Sequence, residues 1–322
     1  MDNFWSKLEK PIMALAPMYD VTDAAFRAII AKYSKPAELF VMFTEFVSAD
    51  GLMHPKGREK LLTMLKYSEE ERPIVAQLFT AHPDKMREAA KFCAELGFDG
   101  IDINMGCPDA TIEKQGSGIA LCKTPALAQE LIAAAKEGAG ELPVSVKTRL
   151  GYSKTDLTWL ESLLKAKPAA LTVHLRTREE MSKVPAHWEL MPEIVKMAKG
   201  SGVLIIGNGD VSSRADGLSK IAVYGVDGVM IGRGIFEDPW AFDTSTPKKE
   251  PTHHELLELM MRHVRLFEAT WGAEKNYAVL KKFYKIYIKG FDGASDWRVK
   301  AMETNSPQEV YPIINELLDN VR

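Results

Sequence analysis

Reactive and polar residues in this chain gather at the carboxyl ends of short apolar runs. Cys107 sits between Gly106 and Pro108 in INMGCPDATIEKQGSGIALC, with Asn104 just ahead of it. Lys147 and Arg149 close VSVKTR, His174 and Arg176 close ALTVHLR, and Gln77 stands in PIVAQLF. Singly, these read as a snorkelling lysine, a core histidine and a small residue in a turn. Jointly they fit a bound ring: a lysine balances negative charge, a histidine donates, and two amides match both donors and acceptors of a heterocyclic edge. Two further runs end in IIGNGDVSS, with Asn208, Gly209 and Asp210, and in MIGRGIFEDPW, with Gly232 and Arg233. Their glycines let backbone amides approach an anion, and the second is expected to open a helix aimed at it. A phosphate-bearing ligand is the expectation. GSG at 116–118 is no dinucleotide fingerprint, because the third glycine and the acidic ribose partner are missing.

The other cysteines frame the first. Three in all, without a CxxC pair, exclude a disulfide framework and a structural zinc site, so no metal is expected. Cys93 falls on an apolar helix face with Met86, Ala89, Ala90 and Leu96 and belongs in a core, and Cys122 follows an apolar stretch and should be packed.

Something must bring these ends together. Eight β-rich runs, at 12–18, 39–46, 73–79, 98–104, 144–149, 170–176, 203–209 and 228–233, alternate with helix-length amphipathic segments. That alternation specifies an α/β chain, here a (β/α)8 TIM barrel over 1–242, whose strand ends converge on one face. A polar, proline-bearing linker is expected near 243–252, followed by a small all-α domain over 253–322. The chain holds 322 residues, 46% hydrophobic and 26% charged, at net charge −3, which excludes disordered and fibrous classes. No stretch approaches 18 uninterrupted apolar residues and no basic segment precedes an apolar one at the start. No membrane partner and a cytoplasmic location are expected. The overall charge does not announce nucleic acid, yet an RNA enzyme needs only a local basic surface. KKFYKIYIK supplies one in Lys281, Lys282, Lys285 and Lys289, on an amphipathic helix with Phe283, Tyr284 and Tyr287 packed inward.

LAPMYDVTDAAFR at 15–27, DINMGCP at 102–108, VKTRLG at 146–151, HLRTR at 174–178, NGDV at 208–211 and MIGRG at 230–234 resemble, in order, the motif series of the tRNA-dihydrouridine synthases. LKKFYKIYIKGFDG at 280–293 is similar to that family's C-terminal helical motif, so the resemblance spans the chain. It implies a flavin enzyme that reduces selected uridines of tRNA with NADPH. It further implies FMN lined by Pro17, Met18 and Tyr19, bonded by Gln77, Lys147 and His174, and closed at its phosphate by Asn208, Gly209, Asp210, Gly232 and Arg233. Asn104 would lie beside the uracil or the flavin. Leu175 and Asp20 stand where glycines are common in the family, and Ala110 where a lysine is often found.

Reduction of the C5–C6 bond of uracil needs a hydride, from flavin N5 in that family, and a proton from the opposite side. Cys107 is the expected acid. An ordinary thiol, with a pKa of about 8.5, keeps its proton near neutrality and can still release it to an enolate-like carbon. Cys107 is therefore expected not to be acidified, with Lys147 stabilising the anionic reduced flavin. The target base must be extruded to reach the barrel mouth, and the grip must come from phosphate contacts. Arg149, Arg176 and Arg178 join the four lysines as expected RNA contacts, on a protein expected to be monomeric. The alternative is a flavin oxidoreductase of a free pyrimidine, similar to dihydroorotate dehydrogenases, which has no need of the helical domain. A non-catalytic tRNA-binding barrel is disfavoured by Cys107 and Lys147.

Overall fold

The computed structural model describes residues 3–34, 40–236, 238–242, 244 and 251–320. Its strands are β1 (Ile12–Leu15), β2 (Met42–Phe43), β3 (Val47–Ser48), β4 (Ile74–Phe79), β5 (Gly100–Met105), β6 (Val144–Arg149), β7 (Ala170–His174), β8 (Leu204–Asn208) and β9 (Gly228–Ile231). All pairings are parallel, in the order β1-β9-β8-β7-β6-β5-β4-β2, with β3 added on β4. The ring closes where Ala14 bridges Val41: Val41 N donates to the Met13 carbonyl at 3.0 Å, and Leu15 N to that of Val41 at 2.9 Å. This is the expected barrel of eight parallel positions with helices between them.

One run departs from expectation. The segment 39–46, of which Leu39 lies outside the described residues, does not form one strand but pairs over Met42–Phe43 and resumes at Val47. Thr44 explains the break, because its side-chain oxygen, at 3.1 Å, takes the Gln77 amide that a strand carbonyl would otherwise accept.

The two-residue period of the strands positions the site. Ile12, Ala14, Val41, Phe43, Val75, Ala170, Ile206 and Met230 fill the barrel interior, and Trp5 packs with them. Continuing along the same alternate positions toward the carboxyl ends, the inward residues turn polar: Gln77 after Val75, Asn104 after Asp102, Lys147 and Arg149 after Ser145, His174 after Thr172, and Asn208 after Ile206. An apolar plug below and a polar mouth above are thus written into single strands.

Beyond the barrel lie the helices His253–Trp271, Ala294–Glu303 and Pro307–Asn320. Thr252 starts the first with a capping box to Glu255. The first packs on the helix Ala24–Ser34, where the Phe26 ring sits 5.6 Å from that of His263 and 4.7 Å from that of Phe283 in the segment that follows it. KKFYKIYIK is not one amphipathic helix. It comprises the end of a 3-10 segment, Tyr277–Phe283, and a single α turn, Tyr284–Tyr287, while Phe283, Tyr284 and Tyr287 are buried as expected. Most of the expected linker, 243 and 245–250, lies outside the described residues.

Candidate active site

A cleft of about 690 Å3 opens over β6 to β9 and β1. Pro17 and Met18 form one wall, Lys147, His174 and Arg176 a second, and the loops after β8 and β9 the end. Those two loops press backbone on backbone: a Cβ on Gly234 would lie 2.5 Å from the Val211 carbonyl oxygen. Gly209 has a φ of 122°, and a Cβ there would meet Ala186 at 2.9 Å and the His174 ring at 3.2 Å. Asn208 ties the strands beneath by donating to the Met230 carbonyl at 2.9 Å. Asp210 accepts from Arg176 at 2.5 Å and from Ala186 N at 2.9 Å, with Arg233 3.6 Å away. Against the cost of burial, the Arg176 and Ala186 hydrogen bonds hold the Asp210 carboxyl below its ordinary range. MIGRG opens only a 3-10 turn, Arg233–Phe236, whereas a full helix, Arg214–Tyr224, follows the first loop, capped by Ser213.

Lys147 and His174 differ in how they meet burial. Burial, reinforced by Arg149, pushes the Lys147 ammonium down to about 8, and Asp102 and Cys107 only partly oppose this. Among the described residues no hydrogen bond engages that ammonium. Burial and then the surrounding cations, Lys147, Arg149 and Arg176 among them, push His174 far below the usual imidazole range, so it is neutral. Its Nε2 lies 3.2 Å from the Arg176 guanidinium. A guanidinium can only donate, so Nε2 accepts and the ring proton sits on Nδ1.

Cys107 is held from two sides. Asn104 Oδ1 accepts from Cys107 N at 2.9 Å and Gly106 N at 3.1 Å, while Arg149 Nε donates to the Gly106 carbonyl at 3.0 Å. A chain of buried groups runs inward from Asn104: its Nδ2 donates to Gln77 at 3.1 Å, Gln77 to Asp102 at 2.7 Å, and Ser145 to Asp102 at 2.6 Å. Burial lifts Asp102 to about 6, although both of those hydrogen bonds pull it down. Ile119 N donates to the Cys107 carbonyl at 3.2 Å, and Gly118, at φ 62°, permits it, because a Cβ there would sit 2.7 Å from that oxygen. Burial pushes the Cys107 thiol above its ordinary range, outweighing Lys147 and Arg149. The proton therefore stays on sulfur through the neutral range.

Several residues sit elsewhere than expected. Tyr19 is not among the residues lining the cleft and stacks on Phe46. Gln77 is fully buried, both ends of its amide taken by Asn104 and Asp102. Arg149 and Arg176, expected to face RNA, are buried instead: Arg149 also donates to the Thr177 and Met181 carbonyls, and Arg176 to that of Val184. Strand-end arginines here clamp loops, since buried backbone carbonyls need donors. Arg178 is half-exposed at the rim, paired with Glu113 at 2.6 Å. Lys281, Lys282 and Lys285 line a second cleft of about 680 Å3 with Arg298 and Phe236, and Lys285 borders both clefts. Lys289 is half-buried and is not among the residues lining either.

Asp102 and Lys275 carry charge that the sequence reading passed over. Asp102 stood two places before Asn104 in the same strand, and the period of two was the available signal. Lys275 had none, because its partners Asp23, at 3.1 Å, and Glu45, at 3.2 Å, are some 230 or more positions away. Among the described residues no cluster of three or more His, Cys, Asp or Glu could hold a metal, and no helix is long and apolar enough to cross a membrane.

The sequence model of the family described as Dihydrouridine synthase (Dus) matches residues 14–322. The chain is 46% identical over 323 residues to a protein of Bacillus subtilis (strain 168) named probable tRNA-dihydrouridine synthase 2, covering 98% of this chain and 96% of that one. It is 43% identical to the probable tRNA-dihydrouridine synthase of Staphylococcus aureus (strain COL), covering 98% and 95%. Among solved structures, an old yellow enzyme homologue from Zymomonas mobilis aligns with a TM-score of 0.48 at 13% identity, over 71% of this chain and 85% of that one.

Proposed function

Since the chain belongs to the dihydrouridine synthase family, we propose that it reduces uridines of tRNA to 5,6-dihydrouridine, with FMN as its flavin and NADPH as the reductant. The observation that carries this reading is a thiol, Cys107, whose loop is held by Asn104 and which feels the charge of Lys147, a residue of the cationic wall of a cleft that ends in glycine-bearing loops. The residues present fit a flavin phosphate ester. The unpartnered Lys147 ammonium suits an anionic ring edge, His174 offers Nδ1–H, Pro17 and Met18 give an apolar wall, and Asn208 to Asp210 with Gly232 and Arg233 surround the phosphate.

A bound flavin supplies the hydride, and the chain supplies the proton. Asn104 and Arg149 hold the loop so that Cys107 Sγ can protonate the uracil carbon that becomes electron-rich. Lys147 and Arg149 then stabilise the thiolate left behind until solvent reprotonates it. Gln77 acts through Asn104. Lys281, Lys282 and Lys285, on the helical segment, supply phosphate contacts, and a tRNA substrate places the protein in the cytoplasm. The helical segment also favours RNA over a free pyrimidine, which would need no surface beyond the barrel mouth.

Purified holoprotein should be given NADPH and tRNA lacking dihydrouridine, and dihydrouridine mapped position by position. Conversion at defined uridines, with dihydroorotate and free uracil untouched, is the expected result. Turnover of a free pyrimidine with no change in tRNA would establish the alternative.

A further inference from the structure

The turn after Met18 carries a feature that neither the flavin nor the proton donor uses. Tyr19 is 55% exposed and is the only aromatic among the exposed large apolar side chains of the described residues. One ring face stacks on Phe46, with centroids 5.5 Å apart and planes at 26°, and Phe46 meets Phe79 edge-on at 5.8 Å. Phe79 ends β4, so this row of rings follows the rim of the barrel from β1 past β2 to β4, and the next strand, β5, leads to Cys107. The phosphate loops after β8 and β9 lie on the other flank of β1. The aromatic row therefore lies on the side of β1 opposite those loops.

The exposed ring is also braced. Met18 N donates to Thr22 Oγ1 at 2.8 Å, and Asp20 N to Glu45 at 2.5 Å, which holds Asp20 at a φ of 55° where the family commonly has glycine. From the helical segment, Lys275 reaches Glu45 at 3.2 Å and Lys282 donates to the Asp20 carbonyl at 3.3 Å. A rigid aromatic face, bare on one side and flanked by lysines, is what proteins present to unpaired bases.

We propose that Tyr19 stacks on a nucleotide adjoining the reacting uridine. A uridine drawn out of folded RNA leaves its neighbours without a stacking partner, and Tyr19 replaces it. This rests on the tRNA reading, because a free pyrimidine has no neighbour to stack. It also gives Asp20 a role: with Lys282 it fixes the turn that presents the ring.

Tyr19→Ala, Tyr19→Phe and Tyr19→Trp holoproteins should be assayed with dihydrouridine-free tRNA and NADPH. Binding of oligouridylate should be followed through the fluorescence that Tyr19→Trp adds over the parent. Tyr19→Ala is expected to raise KM for tRNA about tenfold, the loss of one stacked base, with flavin content kept and kcat little changed. Tyr19→Phe should match the parent, and oligouridylate should quench the new tryptophan. An unchanged KM in Tyr19→Ala, or a Tyr19→Phe as impaired as Tyr19→Ala, would overturn the stack. Loss of flavin from Tyr19→Ala would make the ring a cofactor contact instead. Should the parent leave tRNA unreduced, the functional reading fails by itself; the quench still reports the stack, and its absence overturns it.

Discussion

Lys147 shows, at a single residue, function opposing stability. Its ammonium is pushed down to about 8 by burial and Arg149, so in the ligand-free protein its charge is a liability. In the unfolded chain it titrates near 10.4, so between about 8 and 10.4 unfolding takes up a proton and stability rises with pH; below 8 the full penalty persists. Lys147→Met should therefore stabilise the flavin-free protein at pH 7 by roughly 2–3 kcal/mol, read by denaturant unfolding, while weakening flavin binding. Equal destabilisation with and without flavin would contradict this account. Cys107 obeys the opposite logic, because burial raises its pKa and keeps the acid form available. Cys107→Ala should retain flavin and lose about 100-fold or more in tRNA reduction. Flavin affinity of the parent should fall as pH rises above about 8, where Lys147 of the flavin-free protein loses its charge, and that fall should vanish in Lys147→Arg, while the Cys107 limb of the rate profile lies above the ordinary thiol range.

Elements decide whether such residues meet. The strand period was legible: alternate positions in β5 and β6 carry Asp102 and Asn104, then Ser145, Lys147 and Arg149, so placing the runs placed the mouth. What each polar side chain does there was not legible. A strand-end arginine reads the same whether phosphate or backbone carbonyls await it, and only the folded loops show Arg149 and Arg176 clamping carbonyls. Nor did the apolar run at 39–46 reveal that Thr44 would break its strand. Asn104 joins two elements, so Asn104→Ala strands two amides and the Gln77 oxygen. It should cost about 1–3 kcal/mol and release the Cys107 loop, lowering reduction of tRNA while flavin absorbance stays. The end loops make a second test. Gly234→Ala sets a methyl against the Val211 and Ser212 carbonyls, at 2.5 and 2.8 Å, so the loops must part and the flavin dissociation constant should rise about tenfold. An unaltered constant would mean that the phosphate is held elsewhere.

At the scale of the whole molecule, charge is distributed against its total. A net charge of −3 coexists with Lys281, Lys282, Lys285 and Arg298 around one cleft on the helical segment, bordering the cleft of the barrel. Composition could not reveal this, because the grouping depends on how a 3-10 segment, an α turn and the helix Ala294–Glu303 pack. Buried Phe283, Tyr284, Ile286 and Tyr287 blur any single helical period, so the lysines' common outlook is a product of the fold. Lys282 is partly spent on Asp20, which leaves Lys281, Lys285 and Arg298 as the main counter-charges to RNA. Three phosphates neutralised should give log–log salt slopes of about −2.1 to −2.7, so tRNA affinity should fall roughly 20- to 40-fold between 50 and 200 mM salt. Lys281→Ala with Arg298→Ala should flatten that slope by about 2 while leaving flavin content unchanged, since neither residue lines the cleft of the barrel. A slope untouched by the pair would place the RNA on another face of the protein.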